Sequence, residues 1–584
     1  MGGQRGREGA AGGGAPKLAP DVLSFLRRAG QMLEDLGTPP EAAAGESAEA
    51  DDAAAGVKTQ QCEIADTIVT QVMGSELNCA RHVFGSVVLQ RAFDLASGPQ
   101  QQALAAALLG GAHTTALLTD KYGSHVAQAA LSCATRLGGW DSDATAPEAL
   151  LPRLCERLME SDGGPLVDII YDRYGTHVLR TLFRVLSGRP ARPERSKTQG
   201  GWRDERQEAA AEFAESRAPV PPGYREALTS LAALVGNSGR AQKLLTNPTA
   251  AATLQALLIA LPVGGDAATA LSRSMLLWDG EDASPSPSAI AHTLQLVEDG
   301  TGSRTVELLL RAPGLTWWKP LFLHCFRGKI GQLAAHPTAN HVVQAMIASA
   351  KSARSLVALQ KELLPELPSL VRDRAALVWR LTEACGRLGG GGRELVRGLR
   401  QALAPSAEEP GGGGDAFARA ILELGAEHDQ QARDGVAHGA VRVRPAGSRL
   451  AQAVLKLPSA AGEPLLQSLS AMPAPAVVDL ALSSLGSRVL EAAFRNPAAK
   501  QPISRILKAV SAHVRLTMGP THAPCLHSTM CSAHAPCLHS TMCSAHAPCL
   551  HSTMCPTHAP CLHSTMSSAH APCLHSTMCS AHAP

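Results

Sequence analysis

Residues 120–128 read DKYGSHVAQ and residues 172–180 read DRYGTHVLR. A third copy, HVFGSVVLQ, stands at 82–90. Looser ones follow: DGTGSRTVE at 299–307, HPTANHVVQ at 336–344, RPAGSRLAQ at 444–452 and SSLGSRVLE at 483–491. NPTAAATLQ at 247–255 is worn down, and a copy near 373–381 is barely recognisable. With the Gly, or the Ala in its place, as register mark, the copies stand at 85, 123, 175, 250, 302, 339, 376, 447 and 486, and four of the intervals are 37 to 39 residues. A recurring unit of this length signals stacked supersecondary units, and a period near 38 accommodates two or three short helices per unit. The expected fold is all-α, an α-solenoid.

Composition agrees. Of the 584 residues 45% are hydrophobic but only 3% aromatic, so the core is built from Leu, Ala and Val, which favours helix on helix. Each copy obeys helical geometry. An apolar residue three after the mark pairs with one seven after it: Val88 with Ala92, Val126 with Ala130, Val178 with Leu182, Val342 with Met346, Val489 with Ala493. Residues four apart share a face, so these pairs mark the buried side.

A second set, also four apart, is polar: Ser86 and Gln90, Ser124 and Gln128, Thr176 and Arg180, Ser303 and Glu307, Asn340 and Gln344, Ser448 and Gln452, Ser487 and Glu491. Between the members of six pairs stands a planar or cationic side chain: His125, His177, Arg304, His341, Arg449 and Arg488; the first copy has Val87. Such a triplet suits an unpaired base. Amides and carboxylates meet the hydrogen-bonding edge, and imidazole or guanidinium planes stack on the face. One polar helix face is ordinary solvated surface; seven with the same chemistry at the same offset point to a ladder that reads one base per unit.

The Tyr-Gly-Ser-His-Val and Tyr-Gly-Thr-His-Val stretches at 122–126 and 174–178 resemble the pumilio (Puf) repeat family, over about residues 60–497. The entry helix VLSFLRRAGQML, the basic insert after the third copy and DRYGTHVLRTLFRVLSG at 172–188 resemble its nucleolar pumilio-like sub-family, nucleolar protein nine. The resemblance implies three-helix repeats bent into a C or U shape, with the triplets on the concave face. It also implies binding of single-stranded precursor ribosomal RNA, a role in rRNA processing and small-subunit biogenesis, association with pre-ribosomal proteins, and a nucleolar location. It implies adenine for Ser/Gln pairs, uracil for Asn340/Gln344 and guanine for Ser303/Glu307 and Ser487/Glu491. Ala251 and Ala252 depart from the pattern, as does the copy near 376, which lacks a triplet.

Around this array, residues 1–57 read as a Gly-rich, disordered N-terminal region with one helix at 18–36 carrying Val22, Phe25, Met32, Leu33 and Leu36 on one face. The repeat domain is expected over 58–515, with loop inserts near 188–222, 279–288 and 386–414. Residues 516–584 repeat a twelve-residue APCLHSTMCSAH unit, whose Pro in every copy forbids a continuous helix. Its Cys and His density could hold zinc or copper(I), but no spacing matches a recognised module, so no metal or cofactor is expected. Cys62, Cys79, Cys133, Cys155, Cys325 and Cys385 are scattered singly among apolar residues and read as reduced core cysteines.

The start, MGGQRGREGAAGGG, lacks an apolar signal stretch; Gly6 breaks the myristoylation pattern; and no run of about 18 apolar residues suggests a membrane span. A net charge of +2, from 53 Lys and Arg against 51 Asp and Glu, means that any RNA grip rests on a local basic stripe. No P-loop, nucleophile elbow or carboxylate pair supports an enzyme. The expectation is a monomeric RNA-binding protein; the alternatives are an armadillo-type protein scaffold and a cytoplasmic regulator of messenger RNA.

Overall fold

The computed structural model describes residues 18–37, 48–136, 150–191, 217–237, 240–278, 284–404, 414–424 and 441–496, with single positions at 213, 504, 506 and 508. All lie in the first of two units, Met1–His513 and Val514–Pro584. The Gly-rich start, most of the 188–222 insert and the twelve-residue repeats fall outside the described residues. Among those described, every regular element is helical.

Nine helices carry the recurring motif: α1 (Val83–Leu95), α2 (Gly123–Arg136), α3 (Gly175–Leu186), α4 (Pro248–Ala260), α5 (Gly302–Arg311), α6 (Asn340–Ser349), α7 (Ala375–Leu388), α8 (Pro445–Leu455) and α9 (Ser484–Arg495). Each packs against the next, from α1 to α9 without a break. Two further helices precede most of them, one longer and one short, as Gly98–Gly110 and Thr114–Leu118 precede α2, and Ser459–Ser470 and Ala474–Leu482 precede α9. The repeat is therefore a three-helix unit, and the array is an α-solenoid of pumilio-type repeats.

The recurring residues set the local geometry. The residue three before the register mark caps the motif helix: Oδ1 of Asp120 accepts from the backbone N–H groups of Tyr122 and Gly123 at 2.8 and 2.9 Å. Asp172 caps α3 and Asp299 caps α5 in the same way, Asn247 caps α4, and the ring Nδ1 of His336 accepts from Thr338 and Ala339 before α6. These side chains satisfy donors that the first helical turn leaves without partners. The mark itself is Gly because the short preceding helix runs directly beneath it. A Cβ at Gly85, Gly447 or Gly486 would lie 2.2 Å from the carbonyl oxygen of Cys79, Ile421 or Leu480. In the fourth and sixth repeats the mark is Ala250 and Ala339, both buried.

The apolar partners three and seven after the mark are all buried, as are Leu89, Leu131, Leu179, Leu254 and Leu309 beside them. Arginines tie repeats together at helix C-termini, where carbonyls lack partners and the helix dipole is negative. Arg157 donates to the carbonyls of Leu109, Gly110 and Gly111, Arg217 to those of Ile259, Ala260 and Leu261, and Arg387 to those of Ile347, Ala348 and Ala350. The insert after α3 is pinned at its base, where the Ala218 N–H donates to the Gly188 carbonyl at 2.8 Å.

Several expectations need correction. Within the 386–414 stretch read as loop, Gly392–Leu403 is a helix, its apolar Leu395, Val396 and Leu399 buried at helical spacing despite the flanking glycines. A helix over Ala48–Val72 begins inside the expected N-terminal linker. The entry helix is Pro20–Asp35, but its buried stripe is Leu26, Ala29 and Leu33, and Met32 is 51% exposed. Cys79, Cys133, Cys155, Cys325 and Cys385 are buried free thiols and Cys62 is half-buried. Among the described residues no single helix is long and apolar enough to cross a membrane, and no group of three His, Cys, Asp or Glu side chains is placed to hold a metal.

Candidate nucleic-acid interface

On most motif helices that carry a triplet its three positions differ in depth. The first is buried. Ser86, Ser124, Thr176, Ser303, Asn340 and Ser448 are at most 4% exposed, because this position faces the next motif helix. Thr176 lies against Thr249 and Thr253 of α4, and the Ser448 hydroxyl donates to the Leu485 carbonyl of α9 at 2.8 Å. These small residues set the spacing between repeats and form the floor of the ladder rather than its reaching groups. Ser487, on the last helix, is exposed.

The second position faces outward. Val87, His177, Arg304, Arg449 and Arg488 are exposed, and His125 and His341 half-buried. The third position sits between. Gln90, Gln128, Arg180, Gln452 and Glu491 are half-buried, whereas Gln344 and Glu307 are buried. Hydrogen bonds hold these groups in place. The Gln128 Oε1 accepts from Thr181 of α3 at 3.4 Å. Arg180 meets the His177 ring Nδ1 at 2.8 Å. Gln344 Nε2 donates to Asn340 Oδ1 at 2.8 Å, and Gln452 Nε2 to Ser448 Oγ at 3.0 Å. Gln90 Nε2 donates to the Ser86 carbonyl at 3.0 Å. Second and third positions together therefore present fixed polar edges beside planar groups, the arrangement an unpaired base requires.

Glu307 departs from that arrangement. It is 3% exposed and its Oε2 accepts from Arg311 at 3.3 Å, which turns the carboxylate inward. Glu491 makes the corresponding pair with Arg495, at 2.5 Å, but at the surface. There the geometry opens into a pocket of about 360 Å³ between α8 and α9, lined by Gln452, Lys456, Arg488, Glu491 and Arg495 among others. Three of the expected site residues thus converge on one concavity. One turn beyond the triplets, nine after the mark, Arg184, Arg311, Lys456 and Arg495 add cations to the same face. Two of them are paired, Arg311 with Glu307 and Arg495 with Glu491, Arg184 donates to the Pro190 carbonyl, and Asp94 and Glu383 stand at the same offset in the first and seventh repeats.

In the seventh repeat the register mark is Arg374, not Ala376. The doublet buried three and four after every other mark is here Leu377 and Val378, and Ala376 is exposed. The connection before α7 is two residues shorter, which the spacing of marks alone does not reveal. The shift puts Ala375 and Ala376 at the first two triplet positions and Trp379 at the third. In the fourth repeat Ala251 is buried but Gln255 keeps the third position, its Nε2 donating to Thr305 of α5 at 3.1 Å. The sequence reading missed both Gln255 and Trp379. Gln255, five after Ala250, was available from the offset; Trp379 became visible only once burial corrected the register.

A family model described as the NOP9-like PUF repeat domain matches residues 74–514. The chain belongs to this family. Nucleolar protein 9 of mouse is 26% identical over 507 residues, covering 82% of this chain and 76% of its own. Nucleolar protein 9 of Leptosphaeria maculans is 30% identical over 356 residues, covering 56% of this chain and 46% of its own. The match thus spans about half the length of such fungal NOP9-like relatives. The name they share points to the nucleolus. A solved structure of APUM23-GGAGUUGACGG, 20% identical, superposes with a TM-score of 0.69 over 85% of this chain and 87% of that one, the same solenoid fold.

Proposed function

We propose that this NOP9-like protein binds single-stranded RNA along the outward face of α1 to α9 and acts in the nucleolus on precursor ribosomal RNA during small-subunit maturation. The observation that carries the reading is the depth pattern of the triplets: in six of seven repeats the first residue is packing, in six the second is an imidazole or guanidinium that is exposed or half-buried, and in five the third is a half-buried polar group, Gln344 and Glu307 being buried. A helix face that served only as solvated surface would have no reason to hold these polar edges in position. The pocket formed by Gln452, Arg488 and Glu491 has the size and chemistry for one base, and Arg184, Lys456 and Arg495 suit the backbone. The sites are not equivalent. Ala251 and Ala252 leave Gln255 to act alone, and Glu307 is turned inward, so recognition is patchy and leans on phosphate contacts. A binder of this kind acts by holding or occluding a segment of precursor, as a monomer among the proteins of a pre-ribosomal particle. The nucleolar name of the relatives supports the location and the target class.

Crosslinking of the tagged chain in cells, followed by sequencing of the bound RNA, tests the proposal. Enrichment of precursor ribosomal RNA supports it. Enrichment of messenger RNA moves the chain to the regulatory pumilio class, and no enrichment above background leaves an α-solenoid scaffold for proteins.

A further inference from the structure

The corrected register of the seventh repeat sets Trp379 on the ladder at the position that elsewhere carries Gln, Glu or Arg. We infer that Trp379 is a stacking platform for one unpaired base, which it takes by its face and without regard to base identity. The inference rests on the RNA-binding reading and adds a site to it.

Trp379 is half-buried and packs against the hydrophobic core. Trp278 and Trp317 are enclosed at 7% exposure, and Trp318, half-buried like Trp379, lies outside the motif helices. The Arg449 guanidinium carbon lies 4.9 Å from its ring centroid, and that of Arg380 lies 5.7 Å away. Arg449 occupies the second triplet position of the next repeat, so the ring is flanked by the side chain that stands beside a bound base in this geometry. A guanidinium on an aromatic face is a weak, exchangeable cap, and a base offers that face more area. The first two triplet positions before it, Ala375 and Ala376, are small. The repeat that lacks edge-reading groups therefore keeps a contact that needs none.

The test uses the full chain and fluorescently labelled oligoadenylate and oligouridylate long enough to span the nine repeats, with affinity measured by anisotropy over a salt series. Trp379→Leu keeps apolar packing but removes the flat ring; Trp379→Phe keeps a smaller ring. Stacking of one base accounts for roughly 5- to 150-fold in affinity. The expected result is a loss of that order for Trp379→Leu on both oligonucleotides, a smaller loss for Trp379→Phe, an unchanged salt slope because no charge is removed, and unchanged amide-exchange protection across α7. Equal binding by wild type and Trp379→Leu overturns the inference and leaves RNA binding intact. A loss that accompanies reduced protection across α7, or that Trp379→Phe shares in full, also overturns it, because packing then explains the effect. Failure of the wild-type chain to bind either oligonucleotide overturns the RNA reading and the platform with it.

Discussion

Replacing Gly447 with alanine tests whether close backbone approach holds the repeats in register. The added Cβ would lie 2.2 Å from the Ile421 carbonyl oxygen and 2.5 Å from that of Leu422. A carbon and a carbonyl oxygen sit comfortably at ~3.3 Å, so α8 must move out by about 1 Å. Ile421 and Leu422 are fully buried and cannot yield. Overpacking of this kind costs about 1–3 kcal/mol. The same movement stretches the 2.8 Å hydrogen bond from Ser448 to the Leu485 carbonyl, for about 1 kcal/mol more. Higher helix propensity returns up to about 1 kcal/mol. The net is about 2 kcal/mol against the local stability of the eighth repeat. Long arrays do not unfold as one unit, so hydrogen exchange across α8 is the appropriate assay. Protection there should fall about 30-fold. Ala339→Gly is the control: it relieves no overlap and costs at most about 1 kcal/mol through backbone entropy. If protection in α8 stays within about 3-fold of wild type, or Gly447→Ala is no worse than Ala339→Gly, the close approach is not what the glycine serves.

Four further outcomes are expected. Asp172→Ala removes the cap that accepts from Tyr174 and Gly175 and should lower the stability of α3 by about 1 kcal/mol, with Asp172→Asn restoring most of it; amide exchange at the start of α3 reads this directly. Glu491→Gln should change base preference at one position of a systematically substituted oligonucleotide, because Glu491 lines the open pocket. Glu307→Gln should leave preference unchanged and instead weaken the fold by about 1–3 kcal/mol, because it disturbs the buried pair with Arg311; a preference change at Glu307 would contradict the inward placement. Burial pushes the Cys155 and Cys385 thiols up to about 12 and Cys325 up to about 11. A raised value leaves almost no thiolate at pH 8, so alkylation of the native protein, followed by peptide mass spectrometry, should spare these three and label them only after denaturation.

The recurring Gly or Ala mark, with apolar residues three and seven later in most copies, determined the architecture without any tertiary information, because the period sets the repeat and the four-residue spacing sets the face that helical geometry must bury. The triplet offsets were legible for the same reason, and they located the outward His and Arg residues of α2, α3, α5, α6, α8 and α9. What lay outside local rules was depth and register. Only the stacking of α3 on α4 and α8 on α9 decided that Thr176 and Ser448 are floor and not reach. Only the pairing with Arg311 turned Glu307 inward while Glu491 stayed open. In the seventh repeat a two-residue shortening before α7 leaves composition and period nearly unchanged, yet rotates every later side chain by two positions. Burial against the adjoining helices is what places Trp379 on the ladder. Periodicity is a property of the chain, but which side of a helix its neighbours cover is a property of the packed array.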